Sequence, residues 1–394
     1  MVKHRSRCSG EMPEYFKEAF LALLADNEYE TVTIEQICKR VGCSRVSFYN
    51  YYSDKAALFN EIIVEKLNGT LKSLNYSRRN DGEYLETEIE FWVVRLFEFI
   101  YHNSKFFRIM YKGNKFQGVF SEIYIIMRDF LDEKVLEKKR ISETLNVERD
   151  YYLYYLSSAI LGIINCWIST DFKKTPQEMA HQLKLIFQTP KEQVFYHSYY
   201  AETRQLKETL KDPRIRRTQK NLTNSLLKLI AEKPYKEITI KEITELAYCN
   251  RVTFYAHYSS KDHLLSKIVE AKNKEMSDSL NFPFEKNLIK LDNCSSLLTY
   301  VKDNVDYYCL MHPEKKIGWV YKEVYKTLAY FYEKKLRSDI RNYSDLPFAP
   351  EYYAHFIAGG MTGILYVWAK EGFKKPINEL AGQWEAIELR RTEI

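Results

Sequence analysis

The stretch TVTIEQICKRVGCSRVSFYNYYSDKAALF, Thr31 to Phe59, decides the fold, because it reads as a helix-turn-helix and then recurs. At Glu237 to Leu265 the chain reads EITIKEITELAYCNRVTFYAHYSSKDHLL in constant register: Phe254 pairs with Phe48, Ile240 with Ile34 and Lys261 with Lys55, always 206 positions apart and without a gap. From Tyr29 and Tyr235 to Lys66 and Lys272 the copies share 15 identities in 38 aligned positions, which an internal duplication explains.

In the first copy Thr33 suits the N-cap of a short helix whose apolar Ile34, Ile37 and Val41 fall on one face at helical spacing. Gly42 supplies the backbone freedom of a tight turn, and Ser44 can cap the next helix. That second helix, Arg45 to about Tyr52, keeps Val46 and Phe48 as candidates for facing inward and offers Arg45, Ser47, Tyr49, Asn50 and Tyr51 outward. Such a helix suits a major groove: arginine bonds guanine with two donors, hydroxyls bond phosphates, and a capped helix N-terminus favours nearby anions. Lys55, just beyond the helix, is expected as a phosphate clamp. The residues expected to meet DNA are therefore Arg45, Val46, Ser47, Tyr49, Asn50, Tyr51 and Lys55, and in the second copy Arg251, Val252, Thr253, Tyr255, Ala256, His257 and Lys261.

The pattern T-I-x-x-I…G-x-S-R-x-S-F-Y-x-Y-Y-x-x-K-x-x-L resembles the DNA-binding domain of TetR/AcrR-type transcriptional regulators, over about fifty residues in each copy. The resemblance implies an all-α protein of two tandem units, each a three-helix DNA-binding head with a helical effector body that dimerises through its last two helices. It implies a double-stranded DNA operator as partner and a regulator that is most often a repressor.

At 394 residues the chain is ample for two units of about 200 each. Its seven cysteines (8, 38, 43, 166, 249, 294, 309) are odd in number and lack C-x-x-C spacing, so they read as reduced thiols of a cytoplasmic protein. Met1 to Gly10 is polar and basic, unlike a signal peptide. The longest apolar runs, Leu153 to Ile168 and Ala354 to Ala369, are short for a bilayer and fit buried helices, so no membrane partner is expected. Arg204 to Lys274 holds 16 basic and 8 acidic residues, a surplus of +8, against 9 basic and 10 acidic, or −1, from Met1 to Lys66. The second head thus carries the stronger footprint for a polyanion, and the first relies on a local patch of Lys39, Arg40, Arg45 and Lys55.

In chain order, residues 1–13 read as an arm, either reaching a groove or simply an unstructured terminus. Helix one is expected from about Glu14 to Asp26 and a long helix from about Lys55 to Leu74. Five helical patterns follow in the first body: Leu85 to His102, Lys105 to Tyr111, Phe116 to Lys138, Glu148 to Thr170 and Pro176 to Phe187. The ending repeats, GIINCWISTDFKK from Gly162 against GILYVWAKEGFKK from Gly363, now 201 apart. These boundaries give heads at 1–66 and 213–272, bodies at 67–190 and 273–394, and a helical linker at 191–212. The linker's length makes an intramolecular pseudo-dimer sterically feasible, with a homodimer as the alternative. Lys211, Asp212 and Pro213 break that linker, so Arg214, Arg216, Arg217 and Lys220 read as a basic arm to the second head.

The second head departs from the first where Tyr248 replaces Gly42, Asn250 replaces Ser44, Thr253 replaces Ser47, and Ala256 and His257 replace Asn50 and Tyr51. These changes predict two non-identical half-sites. Aromatics crowd both bodies, among them Trp92, Phe97, Phe106, Phe107, Tyr111, Phe120 and Tyr124, then Tyr300, Tyr307, Tyr308, Trp319, Tyr321 and Tyr325. They fit either an ordinary helical core or a pocket for a small hydrophobic or cationic effector. No phosphate-binding, dinucleotide, zinc-protease or nucleophile-elbow motif is present, and His257 with His263 is the one histidine pair at close spacing, read as phosphate contact or exposure rather than a metal site. No cofactor, metal or catalytic residue is expected. A protein-binding co-regulator, in which the acidic first head no longer reads DNA, is the alternative function.

Overall fold

The computed structural model describes residues 11–27, 29, 31–75, 85–112, 127–129, 131–132, 147–189, 213–280, 292–311, 319–339 and 346–390; the linker at 191–212, residues 1–10 and almost all of the Phe116 to Lys138 pattern lie outside them. The described residues contain helices and no strand. Two compact units divide the chain, one of residues 1–127 with 167–181, the other of 128–166 with 182–394.

In the first unit, α1 (Met12–Leu24), α2 (Ile34–Val41) and α3 (Arg45–Tyr49) form the head, and α4 (Lys55–Asn75) leads to α5 (Leu85–His102) and α6 (Ser104–Lys112). Phe16, Phe20, Ile37, Phe48, Leu58 and Ile62 are fully or almost fully buried, and Phe48 meets Phe16 edge-on at 5.2 Å. This small aromatic core fixes three short helices that could not hold their shape alone. The end of α7 (Arg149–Ser169) and the start of α8 (Pro176–Gln188) close this unit, with Trp167 against Phe97 at 5.3 Å.

The second unit contains the second head, α9 (Pro213–Glu232), α10 (Ile240–Leu246) and α11 (Arg251–His257), then α12 (Lys261–Leu280), α13 (Asp292–Asp303), α14 (Val305–Tyr308), α15 (Trp319–Asp339), α16 (Pro350–Lys370) and α17 (Ile377–Arg390). The 206-residue register extends through the first helix: Phe16, Phe20 and Leu24 correspond to Leu222, Leu226 and Ile230, all buried. The segment expected as a basic arm is helical, because Pro213 occupies a helix start and Arg214, Arg216 and Arg217 form the exposed first turns of α9.

Residues 149–166 of α7 and 182–188 of α8 belong to this same unit and pack on α16 and α17. α7 and α16 are equivalent under the 201-residue offset and run past each other in opposite directions. A Cβ on Gly162 would come within 2.1 Å of the His355 carbonyl oxygen, one on Gly359 within 2.1 Å of that of Ser158, and one on Gly363 within 2.4 Å of that of Tyr154. Only glycine permits backbones this close. Under the offset, Gly162 with His355 becomes Gly363 with Tyr154, and Ser158 with Gly359 maps onto itself. Two further contacts obey the same rule. Phe187 against Phe356, 5.5 Å apart, is the image of Glu388 bonded by Tyr155. Gln182 accepting from the Ala349 amide at 2.6 Å is the image of Gln383 donating to Glu148 at 2.8 Å. Such reciprocity is the pattern of a two-fold, isologous pair.

α7 is long and apolar enough to cross a membrane, but it is buried almost throughout inside the protein. The repeated motifs at 162–174 and 363–375 also match in detail. Trp167 donates to the Lys174 carbonyl at 2.9 Å and Trp368 to that of Lys375 at 3.1 Å. Phe172 and Phe373 share φ of 57° beside their tryptophans.

Candidate nucleic-acid interface

Both heads build their turn from the same local bonds. Thr33 accepts from the Gln36 amide at 3.2 Å while the Gln36 side chain accepts from the Thr33 amide at 2.7 Å; Thr239 and Glu242 repeat this capping box at 3.3 and 2.9 Å. In the second head the Lys233 ammonium, with the Thr239 cap, holds the Glu242 carboxyl down to about 2. Gly42 takes φ of +77°, and the Cys43 amide closes the turn on the Cys38 carbonyl at 3.0 Å. Tyr248 preserves this turn despite its side chain: it adopts φ of +54°, and Cys249 bonds Thr244 at the same 3.0 Å. Ser44 then caps α3 through the Ser47 amide at 3.2 Å, and Asn250 caps α11 through that of Thr253 at 2.7 Å.

α3 spans five residues rather than the expected eight, although Asn50, Tyr51 and Tyr52 continue its bonding to Val46 and Phe48. Phe48 and Phe254 anchor the two helices in their cores. The expectation that Val46 also faces inward is corrected: Val46 is 70 % exposed and Val252 78 %. Two residues along a helix turn through about 200°, so the neighbour of a buried Phe48 must point away. Arg45, Val46, Tyr49, Asn50 and Tyr51 are exposed with Ser47 half-buried, and Arg251, Val252, Tyr255 and Ala256 are exposed with Thr253 and His257 half-buried. Each head thus presents an arginine, a branched apolar group and a phenol together, a set that suits guanine edges, thymine methyls and phosphates.

Lys55 and Lys261, expected as phosphate clamps, are bonded within their own heads. Lys55 Nζ donates to the Tyr29 and Val32 carbonyls, both at 2.7 Å, over the Tyr29 ring. Lys261 repeats this on Tyr235 and Ile238 at 2.9 and 2.8 Å. A part-buried ammonium tied to two carbonyls and an aromatic face is a staple between the turn and the long helix, and phosphate would have to displace those bonds.

The first head's patch is further divided. Arg45 pairs with Glu35, a contact whose position in the second head is held by Lys241. Among the described residues Arg251 has no ion pair. Arg40 lines a cavity of about 600 Å³ in the first unit together with Lys66, His102, Lys105, Phe106 and Ile109. His263 accepts from the Ser259 amide at 3.1 Å, and among the described residues no metal-holding cluster of His, Cys, Asp or Glu occurs. Of the body aromatics, Phe97, Phe106, Phe107, Tyr307 and Tyr308 are core residues; the side chains of Trp92, Phe120, Tyr124 and Trp319 lie outside the described set.

Comparison with known proteins matches this architecture twice over. A model of bacterial regulatory proteins of the tetR family fits residues 18–62 and again 222–268, and a model of a transcriptional regulator C-terminal region fits 87–189 and 291–387. The chain belongs to the TetR family. It is a helix-turn-helix transcriptional regulator built of two tandem TetR units. The tandem arrangement accompanies similarity along the whole chain to an uncharacterized HTH-type transcriptional regulator, YxbF, of Bacillus subtilis (strain 168), 26 % identical over 385 residues, 96 % of this chain and 97 % of the relative. The TetR assignment accounts for the paired turns, while the Glu35–Arg45 contact and the lysine staples are legible only from the coordinates.

Proposed function

We propose that this regulator acts as an intramolecular pseudo-dimer that reads one operator with two different heads and represses transcription from it. Heads at 1–66 and 213–272 serve bodies at 67–190 and 273–394, with 191–212 joining them. The observation that carries the reading is the reciprocal set of contacts between α7–α8 and α16–α17, which supports one chain supplying both halves of a two-fold interface. Arg45, Val46, Ser47, Tyr49, Asn50 and Tyr51 meet one half-site, and Arg251, Val252, Thr253, Tyr255, Ala256 and His257 the other, about one helical turn away. Effector binding in a body shifts the population towards arrangements that no longer hold both half-sites together. The cationic lining of Arg40, Lys66 and Lys105 disfavours a cationic occupant in the first unit's cavity, while Leu21, Val41, Phe106 and Ile109 suit the apolar part of an effector. The protein works in the cytoplasm, without catalysis.

Selection of bound duplexes from random DNA at several salt concentrations, with light scattering alongside, tests this. Two distinct half-sites bound by one chain are expected; a stable two-chain particle at low concentration, or one palindromic site, overturns it. The Glu35–Arg45 pair and the first head's charge of −1 favour a second reading, in which that head docks a protein. A single half-site that depends on Arg251 and not on Arg45 is its expected result.

A further inference from the structure

The turn of the first head brings two thiols together. Cys38 lies in the last turn of α2 and Cys43 just beyond Gly42, and the Gly42 and Cys43 amides both donate to the Cys38 carbonyl, at 2.8 and 3.0 Å. A left-handed cap of this kind puts the side chains of its first and last residues in contact. Here both are cysteines, and their thiols lie within hydrogen-bonding reach of one another. The 3.0 Å bond from the Cys43 amide to the Cys38 carbonyl holds the two Cα atoms within about 7 Å, as a disulfide requires. The second head has the same turn with Thr244 and Cys249, and the Thr244 hydroxyl is taken by the Ile240 and Lys241 carbonyls at 3.0 and 2.9 Å.

We propose that Cys38 and Cys43 form an oxidisable dithiol, a modification site confined to the first head that takes a hydroperoxide as its oxidant. Cys43 is half-buried and Cys38 buried, so Cys43 meets the oxidant. Burial and the adjoining Cys43 thiol push Cys38 up to about 11, so it stays a protonated thiol at neutral pH and leaves the first step to the more exposed Cys43. The Cys43 sulfur attacks the peroxide, the O–O bond breaks, an alcohol or water leaves, and a sulfenic acid forms. The Cys38 sulfur then attacks Cys43; the S–S bond forms, the S–O bond breaks, and hydroxide leaves with the Cys38 proton as water. Two thiols are oxidised and one hydroperoxide is reduced. The bond would clamp the turn that aims α3, and any effect on DNA rests on the operator reading above.

The test treats the full chain with hydrogen peroxide, alkylates remaining thiols with iodoacetamide, and maps tryptic peptides by mass spectrometry. Cleavage at Lys39 and Arg40 separates the two cysteines, so peptides still joined through sulfur report the bond directly. Joined peptides and an alkylated Cys249 are expected, with the link lost in Cys38→Thr, which installs the second head's residue, and in Cys43→Ser; Thr244→Cys should gain a second link, read as loss of Cys249 alkylation because no tryptic site lies between 244 and 249. Alkylation of both Cys38 and Cys43 in the wild type, or over-oxidation of Cys43 beside an alkylated Cys38, overturns the proposal. DNA selection on the oxidised chain is a separate readout, so failure of the operator reading leaves the disulfide result standing.

Discussion

The two heads share a scaffold and differ in charge. Each has a capping box, a left-handed turn residue, a capped recognition helix around a buried phenylalanine and a lysine staple, and the bonds of the capping box, turn and staple agree within a few tenths of an ångström. Around that common frame the electrostatics diverge. In the first head Lys17 is buried among Glu14, Glu61 and Glu65 at 2.7–2.9 Å, and although burial opposes its charge, the three carboxylates hold its pKa above the ordinary lysine value. The corresponding residues of the second head are Thr223, Lys220, Lys267 and Ala271. Duplication therefore preserved the local bonds that fold a helix-turn-helix and left free the surface charges that set its attraction to a polyanion.

If the scaffolds are equivalent, removing the anchor should cost both heads heavily. Phe48→Ala and Phe254→Ala are each expected to lose about 3–5 kcal/mol of head stability, through the transfer and cavity terms of a buried ring. Phe48 should lose the more, by about 1 kcal/mol, because it also meets the Phe16 ring where the second head has Leu222. Hydrogen exchange of the α2–α3 and α10–α11 amides reads each head separately in a chain that need not unfold in one step. A loss below about 1 kcal/mol in either head would break the equivalence.

The next effect lies in DNA affinity. Arg251→Ala should cost about 2 kcal/mol at its half-site, roughly thirtyfold, the range for an arginine that reads guanine. Arg45→Ala should cost less, about 1.5 kcal/mol, since the guanidinium must first leave Glu35. Equal losses would show that the charge difference does not reach the bases.

Backbone strain separates the heads by a smaller amount. Tyr248 holds a left-handed conformation that costs a non-glycine residue about 1–2 kcal/mol, and at 94 % exposure its ring repays little in packing. Tyr248→Gly should stabilise the second head by about 1 kcal/mol, after allowing for the entropy glycine adds to the unfolded chain. Gly42→Ala should destabilise the first by about as much, from backbone alone, because the space around Gly42 is open. Thermal melts monitored by exchange at each head check the pair. A Tyr248→Gly protein that is more stable yet binds DNA less well would show the phenol is held there for contact with the duplex.

Helix starts and turns were readable in the sequence because caps and left-handed residues act through bonds only two or three residues long. Thr33, Gly42, Ser44 and Pro176 mark them by residue type alone. Val46 reads as an inward candidate in the sequence because a five-residue helix gives too little periodicity to separate its faces. The lysine staples and the Glu35–Arg45 pair escaped because their partners lie 10 to 26 residues away, where spacing carries no signal. The reciprocal seam was half legible: the GIINCWISTDFKK repeat showed that α7 and α16 correspond, but only coordinates reveal that Gly162 and Gly363 each meet the other helix's backbone.

The smallest effect is the most specific to the comparison. Glu35→Gln removes the carboxylate that pairs with Arg45, and exposed pairs of this kind are worth at most about 1 kcal/mol, so affinity at the first half-site should rise about two- to threefold. Lys241→Glu places a carboxylate at the corresponding position and should weaken the second half-site by a similar factor. Both changes also alter net charge, which affects any polyanion ligand in a salt-dependent way. A double-mutant cycle separates the two causes: Glu35→Gln in an Arg45→Ala background keeps the change of net charge and removes the pairing. A gain that disappears in that background assigns the effect to release of Arg45. A gain that persists undiminished means the first head is weakened by its overall charge, and the contact between Glu35 and Arg45 is incidental.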